Sequence, residues 1–162
     1  MATIQLTKGK VALVDDEDFY WVDQFNWSAV EINGIWYAKR NRGKSVKAHK
    51  NYEIYLHRAV MKLHDKTKVI DHIDHDGLNC QKDNLRICTV SENNRNTPSH
   101  KDSSSQYIGV SKDNTRNKWQ VHLMFNKKNV LAKRFDTEIE AAKAYDVAAK
   151  KYHGEFANLN FN

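Results

Sequence analysis

The stretch that decides the fold is Ile70-Asp71-His72-Ile73-Asp74-His75-Asp76-Gly77-Leu78-Asn79-Cys80-Gln81-Lys82-Asp83-Asn84-Leu85-Arg86-Ile87-Cys88-Thr89-Val90-Ser91-Glu92-Asn93-Asn94-Arg95-Asn96. Lys68–His72 alternates as a strand does. Asp74–Asp83 is a polar loop containing Gly77. Asn84–Thr89 reads as a second strand with Leu85 and Ile87 on one face. Ser91 is an N-cap candidate, and Glu92–Asn96 begins a helix. The expectation is strand, loop, strand and short helix within one window.

The chain ahead of this window is rich in strand signals. Ile4–Leu6 and Lys10–Val14 flank a turn at Gly9. Asp15–Asp18 is an acidic opening for a short helix carrying Phe19, Val22 and Phe25, and it reads as a solvated cap. Trp27–Glu31 and Ile35–Arg40 are separated by Asn33-Gly34, the strongest short hairpin signal. The basic turn Arg40-Asn41-Arg42-Gly43-Lys44 reads equally as a solvated loop or as a phosphate contact. Tyr52–Leu56 is a further strand candidate, and His57–Leu63 makes one or two helical turns.

Behind the window, Thr97–Ser105 holds the only proline and a serine run, the composition of a linker. Tyr107–Ser111, Lys118–Phe125 and Asn129–Phe135 then alternate as three antiparallel strands, with Trp119, Val121, Leu123 and Phe125 on one face. Thr137 and Glu140 have capping-box spacing. Ile139, Ala142, Tyr145, Ala149 and Tyr152 form the apolar stripe of the helix, which Gly154 ends. Phe156, Leu159 and Phe161 close the core. The predicted class is α+β, with domains over 1–97 and 106–162 and a linker over 98–105.

A net charge of +6 on 162 residues suits a polyanionic partner. Apolar residues make up 40% of the chain and four are Trp, which excludes global disorder. No apolar run is long enough to span a bilayer, so no membrane partner is expected. Met1–Lys8 lacks a signal-peptide apolar region, and an intracellular location is expected. Cys80 and Cys88 do not form a Cys-x-x-Cys pair, which excludes a four-thiolate zinc site within one chain. A mixed site with His72 and His75 is possible on paper; two buried, reduced thiols are the simpler reading, and structural zinc is not expected.

Hydrolysis of a phosphodiester needs an activated water, a neutralised phosphate and a stabilised leaving oxygen. A neutral histidine supplies the first, and one divalent cation supplies the other two. Asp71 and His72 are neighbours, so on a regular strand they point to opposite sides; a bend or bulge is needed to aim both at one phosphate. Asn93, one turn into the helix, offers a second oxygen ligand.

Asp71-His72, the Gly/Asn-containing loop, Asn84-Leu85 and Asn93 together resemble the HNH nuclease motif, the ββα-metal fold, in the variant found in phage and homing endonucleases. The resemblance implies that Asp71 and Asn93 hold a metal ion. It implies that His72 is the general base and that Asn84 braces the loop and orients that base. Leu56-His57-Arg58 matches a segment that precedes the motif in this family, which implies a structural or DNA-backbone role for His57 and Arg58. His75, Asp76 and Cys80 depart from the family pattern, all in the loop, and leave room for an extra metal contact through Asp74, His75 or Asp76. The first 55 residues are also similar to the region that precedes this motif in phage proteins.

Tyr107-Ile108-Gly109-Val110, Lys118-Trp119, Phe135-Asp136-Thr137, Glu140–Asp146 and Gly154–Phe161 resemble the DNA-binding domain of plant ethylene-response factors, the AP-two domain. The resemblance implies a three-stranded sheet backed by one helix and laid in the major groove. Ile108, Ser111, Met124 and Asn129 stand where plant members carry arginine, so the plant recognition sequence does not carry over. Lys118, Gln120, His122 and Lys133 are expected on the DNA-facing side, and Lys112 and Arg116 on phosphates. Arg58, Arg86 and Arg95 are the DNA-contact candidates outside this module.

The two resemblances imply an endonuclease that uses one Mg2+ or Mn2+ and leaves 5′-phosphate and 3′-hydroxyl ends on double-stranded DNA. The implied protein is a monomer or homodimer, in the bacterial cytoplasm if phage-encoded. The rival is a DNA-binding regulatory protein with an inactive nuclease fold.

Overall fold

Strands β1 (Ala2–Gln5) and β2 (Val11–Val14) pair antiparallel around a 3-10 turn at Thr7–Gly9. These come from a computed structural model, which describes residues 1–41, 53–96 and 103–161. Helix α1 (Asp16–Val22) ends where the indole Nε1 of Trp27 donates to the Val22 carbonyl at 2.9 Å. Phe25 therefore falls beyond the helix, with the Arg40 guanidinium 3.8 Å from its ring centre. Asp18 is not part of a solvated cap: it is buried, accepts from Trp21 Nε1 at 2.8 Å, and pairs with Lys82 at 2.8 Å. Its cationic partner comes from far along the sequence, which the local reading did not supply.

Strands β3 (Ser28–Ile32), β4 (Ile35–Asn41) and β5 (Glu53–Tyr55) form an antiparallel sheet in that order. Asn33 and Gly34 both take positive φ, as the two-residue hairpin turn requires. Arg42, Gly43 and Lys44 of the basic turn lie outside the described residues. Helix α2 (Leu56–Val60) follows, then the hairpin β6 (Val69–His72) and β7 (Leu85–Cys88). Ile4, Val14, Val22, Trp27, Leu56, Val60, Ile70 and Leu85 share one core. The loop between β6 and β7 is stitched to β2: Leu13 N–H donates to Leu78 O, and Cys80 N–H donates to Leu13 O, each at 2.9 Å.

The chain packs as two units, Met1–Thr89 and Val90–Asn162. The second opens on the short helix α3 (Val90–Asn93) and a 3-10 turn at Asn94–Asn96. Ser91 lies inside α3 and is not its N-cap. Of the expected linker, residues 98–102 lie outside the described residues.

Strands β8 (Val110–Asp113), β9 (Lys118–Phe125) and β10 (Lys128–Phe135) form an antiparallel sheet in the order β10-β9-β8, followed by helix α4 (Glu138–His153). Val110, Val121 and Leu123 pack with Ala141, Ala142, Tyr145 and Ala149. Ile139 stays half-exposed at the helix start. The capping box is present: Glu140 N–H donates to Thr137 Oγ1 at 3.2 Å, and Thr137 N–H donates to Glu140 Oε2 at 3.2 Å. Tyr107–Gly109 turns before the first strand begins. Gly109 has φ +71, and a Cβ there would meet the Tyr145 ring at 2.3 Å. The buried Asp146 carboxylate accepts from the backbone of Asn160 (2.8 Å) and Phe161 (2.9 Å), fastening the final segment.

Together these elements make an α+β protein. Among the described residues, no helix is long and apolar enough to cross a membrane.

Candidate active site

The ladder of β6 and β7 is regular from Val69↔Cys88 to His72↔Leu85. Regular pairing sends the side chains of Asp71 and His72 to opposite faces. Asp71 is 5% exposed and stands across from Arg86. Arg86 Nε donates to Asp71 Oδ2 at 3.1 Å, and Nη2 closes the ion pair. Arg86, expected on DNA, is turned to Asp71 because the two are register partners.

His72 is 7% exposed and ends the strand. Its ring meets His57 edge-on at 5.1 Å and Tyr37 at 5.9 Å between centres. Tyr55 packs on His57 at 5.6 Å and Tyr37 lies 5.8 Å from it, so Tyr37, Tyr55 and His72 together surround the His57 ring. Burial pushes the pKa of His72 below the usual range, while Asp74, Asp71 and Asp76 pull it partly back. His57 is driven down to about 3, by burial first and then by His72 and Arg58. The Nδ1 of His57 is buried without a hydrogen-bond partner among the described residues.

After His72 the chain turns. Ile73 N–H donates to Asn84 O at 3.0 Å, and His75 N–H donates to His72 O at 3.1 Å. The Asn84 side chain accepts from Asp74 N–H at 3.1 Å and donates to Asp74 Oδ1 and Asn79 O, each at 2.9 Å. Asp74 also accepts from Asp76 N–H and from Asn79 Nδ2. These bonds hold its carboxyl below the ordinary range against the pull of burial, the largest single influence on it. Gly77 lies where a Cβ would meet Trp36 O at 2.5 Å and the Tyr37 ring at 2.7 Å. The loop thus lies directly on the ring that walls His72.

Asp71 and Asn93 offer hard oxygen donors, which fit Mg2+ or Mn2+. Among the described residues no group of three or more His, Cys, Asp or Glu could hold a metal ion. The thiol of Cys80 is fully buried and pushed up to about 12, by burial first and then by Asp76 and Asp74, whereas a zinc thiolate needs the reverse. Asn93 is the last residue of α3, in the second unit.

Arg58 is committed elsewhere: its guanidinium donates to the carbonyls of Lys68 (3.0 Å), Leu63 (3.3 Å) and Asp65 (2.7 Å). Arg95 lies over the Phe125 ring at 4.8 Å and borders a hollow of about 900 Å³. On the C-terminal sheet Lys118 pairs with Asp136, Gln120 donates to Ser111 Oγ at 3.1 Å, and His122 Nδ1 lies 3.5 Å from Asn129 Nδ2. Lys112 covers the Trp119 ring, and Arg116 reaches Asp113 at 3.4 Å.

Lys133 is on the other side of this sheet. It pairs with Val121, whose side chain is buried against α4. A register shift between Asn129 and Leu131 inserts one residue and exchanges the two faces of β10. Arg134, opposite Gln120, takes the open face instead and donates to Asp113 Oδ2 at 2.8 Å. No periodicity signal in the sequence marks that shift. Tyr37 and Tyr55 were also missed: Tyr37 reaches His72 from β4, in another sheet, and Tyr55 packs on Tyr37 and His57.

Residues 54–95 match the family model for HNH endonucleases, and residues 105–155 match that of the AP2 domain. The chain joins an HNH endonuclease region to an AP2 domain. Over 113 residues it is 34% identical to an uncharacterized HNH endonuclease of Acanthamoeba polyphaga mimivirus, covering 67% of this chain and 58% of that protein. Over 59 residues it is 44% identical to APETALA2-like protein 2 of Oryza sativa, covering 36% of this chain and 14% of the rice protein. Over 58 residues it is 43% identical to the AP2-like ethylene-responsive transcription factor TOE2 of Arabidopsis thaliana, covering 36% and 12%. The chain thus spans little more than half of the viral relative and a small part of the plant ones. No solved structure matches it.

Proposed function

We propose that the chain is a divalent-metal-dependent DNA endonuclease of the phage homing type, in which β6, β7 and α3 act as a ββα-metal unit. His72 takes the proton of a water molecule that attacks phosphorus in line with the departing 3′ oxygen. Asp71 and Asn93 would hold one Mg2+ or Mn2+; because the regular β6–β7 ladder sends Asp71 and His72 to opposite faces, this reading requires the end of β6 to bend on binding DNA so that both reach one phosphate. When bound, such an ion supplies charge neutralisation at the phosphate and at the leaving oxygen. Arg86 fixes the direction of the Asp71 carboxylate, and Asn84 holds the loop that begins where His72 ends the strand. The products are 5′-phosphate and 3′-hydroxyl ends. The AP2 sheet holds double-stranded DNA through Lys112, Arg116, Lys118, Gln120, His122 and Arg134 on or beside its open face.

The observation that carries this reading is a buried imidazole, kept neutral by its surroundings, at the end of the strand that also bears a buried carboxylate. A neutral imidazole is the form that accepts a proton. The test is plasmid DNA incubated with the protein and Mg2+ or Mn2+, followed by analysis of the new ends. Cleavage that stops in EDTA and leaves 5′-phosphates is expected. Intact plasmid with either ion would remove the reading.

The Asp71–Arg86 ion pair favours a second reading, a DNA-binding regulator with an inactive nuclease region, because it engages the carboxylate that would face the ion. Tight DNA binding without cleavage separates it from the first.

A further inference from the structure

The open face of the β8–β10 sheet is polar over most of its length, with Ser111, Gln120, His122 and Arg134 on it. Met124 breaks that pattern. Val121 and Leu123 pack into the core with α4, so the alternation of β9 puts Gln120, His122 and Met124 on the other side. Among the described residues of the three strands, Met124 is the one large apolar side chain that stays strongly exposed, at 58%. Its register partner across the ladder is Asn129. The Asn129 amide is met from one side: its Nδ2 lies 3.5 Å from His122 Nδ1. Among the described residues no second partner reaches this amide, which leaves one N–H and Oδ1 for a ligand.

This pair stands beside a rigid turn. Asn126 and Lys127 both take positive φ and close the β9–β10 hairpin in two residues. After Asn129 the register shift sharpens the twist of β10. His153 Nε2 lies 3.3 Å from the Met124 carbonyl, which ties the end of β9 to α4. Lys127 and Lys128 are exposed and make the tip cationic. A thioether and an amide are thus held side by side on a fixed, positively charged ribbon, and the major groove is wide enough to admit a two-stranded ribbon.

The two groups match one base pair. Adenine shows the major groove an acceptor, N7, next to a donor, the N6 amino group, and a side-chain amide meets both at once. Thymine adds the C5 methyl, the one methyl group on any base edge. The unbranched, polarizable side chain of methionine suits such a partner. Guanine presents two acceptors, which call for a two-pronged cation, and cytosine presents an amino donor without a methyl. The minor groove offers Met124 no apolar group, so the match exists in the major groove alone.

We propose that Met124 and Asn129 are specificity-determining residues that read an A·T pair in the major groove, Asn129 taking the adenine and Met124 covering the methyl of its thymine. The proposal rests on the reading that the AP2 sheet holds double-stranded DNA. It gives that surface a preferred substrate class, duplexes with an A·T pair under the hairpin.

The test uses the full chain in EDTA, so that no strand is cut. Duplexes are selected from a random-sequence pool with the wild type and with Asn129→Ala. The wild type should select an A·T pair that Asn129→Ala does not. In the selected duplex each thymine in turn is replaced by deoxyuridine, which removes the methyl alone, and each adenine in turn by 7-deazaadenine, which removes the N7 acceptor alone. At that pair the wild type should lose about fourfold in affinity with deoxyuridine, the worth of one buried methyl, and about tenfold with 7-deazaadenine. Met124→Ala should bind the thymine and deoxyuridine duplexes equally, and Asn129→Ala should not distinguish 7-deazaadenine from adenine. Met124→Leu, which keeps an apolar tip, should retain the preference for thymine. Each ratio is taken within one protein, so a loss of folded protein moves none of them.

If the wild type binds thymine and deoxyuridine alike at every position, or Met124→Ala keeps the wild-type ratio, Met124 reads no methyl and the proposal falls. Indifference of the wild type to 7-deazaadenine overturns it at Asn129. Selection of G·C pairs alone overturns it too. DNA binding with no selected sequence also overturns it, and leaves standing the reading that the sheet holds DNA. A wild type that binds no duplex removes that reading, and the proposal with it.

Discussion

The β6–β7 hairpin and the β8–β10 sheet are both antiparallel and both carry charged side chains, but they treat charge in opposite ways. In the hairpin, Asp71 and His72 are buried, and each is fixed from one side by a named partner, Arg86 or the His57 and Tyr37 rings. On the sheet, Lys118, Arg116 and Arg134 are substantially exposed; Lys118 pairs with the exposed Asp136, and the two arginines with the largely covered Asp113. Exposed pairs contribute little and break easily, so those cations remain exchangeable onto phosphate. Buried groups do not exchange; they hold a direction and a protonation state. On the proposed reading, the contrast is that between a surface that holds a polyanion and a site that acts on one.

Removing one group from each region should separate these roles most sharply at His72. His72→Ala should slow cleavage by about a thousandfold, the usual contribution of a general base. DNA affinity should stay within about twofold. Single-turnover cleavage and a binding titration on the same preparation measure both. A matching fall in affinity would mean that the imidazole is part of the DNA-holding surface, and the distinction between the regions would collapse.

The next effect concerns the rigidity of the hairpin. In Gly77→Ala the new Cβ meets backbone at Trp36 O and the Tyr37 ring, neither of which yields cheaply. A loss of about 3 kcal/mol is expected, read as a lower urea midpoint. Gly34→Ala is the control: its φ is +83 and a Cβ there meets nothing within 4 Å, so only backbone strain of about 1 kcal/mol applies. Equal costs at both positions would show that the loop does not rest on Tyr37.

The burial of the imidazoles also predicts a pH dependence. His57 has a folded pKa of about 3, below its ordinary 6.5. As the pH falls below 6.5 the unfolded chain binds the proton first, so stability is full above 6.5 and declines toward pH 3. His72 is shifted in the same direction and adds to the decline. Between pH 6.5 and 4.5 the part due to His57 is on the order of 2 kcal/mol. His57→Phe keeps the aromatic wall and should flatten the profile by that amount in thermal melts. An unaltered slope would place His57 in contact with water.

Much of this was legible in residue order, because it depends on local chemistry. The Asn33-Gly34 turn, the Thr137–Glu140 capping box and the strand–loop–strand plan around Asp71 and His72 follow from short-range rules. The bracing of the loop by Asn84 followed from the motif resemblance. What was not legible is set by distant partners. Nothing near Asp18 announces Lys82, and nothing near His72 announces Tyr37. Arg86 was expected on DNA and Arg58 in a structural or DNA-backbone role; register gives the first a carboxylate, and the second bonds three carbonyls. Cationic side chains are the hardest to assign from sequence, since a buried pair and a free surface charge are written with the same letters.

The smallest effect tests the face of β10. With the register shift after Asn129, Arg134 shares the open face with Gln120, while Lys133 lies on the helix side with Val121. Arg134→Ala should weaken DNA binding about fivefold and lower the salt slope by about one, as the loss of a single phosphate contact does. The change also leaves Asp113 with Arg116 as its remaining partner among the ion pairs, which turns negative charge toward the DNA. Lys133→Ala should leave affinity within about twofold and the salt slope unchanged. The reverse result, with Lys133 mattering and Arg134 silent, would mean that β10 runs without the extra residue and that its two faces are exchanged. Affinity measured at two or three salt concentrations for each variant decides between these, because the slope counts phosphate contacts directly while a loss of folding lowers affinity without changing the slope in proportion.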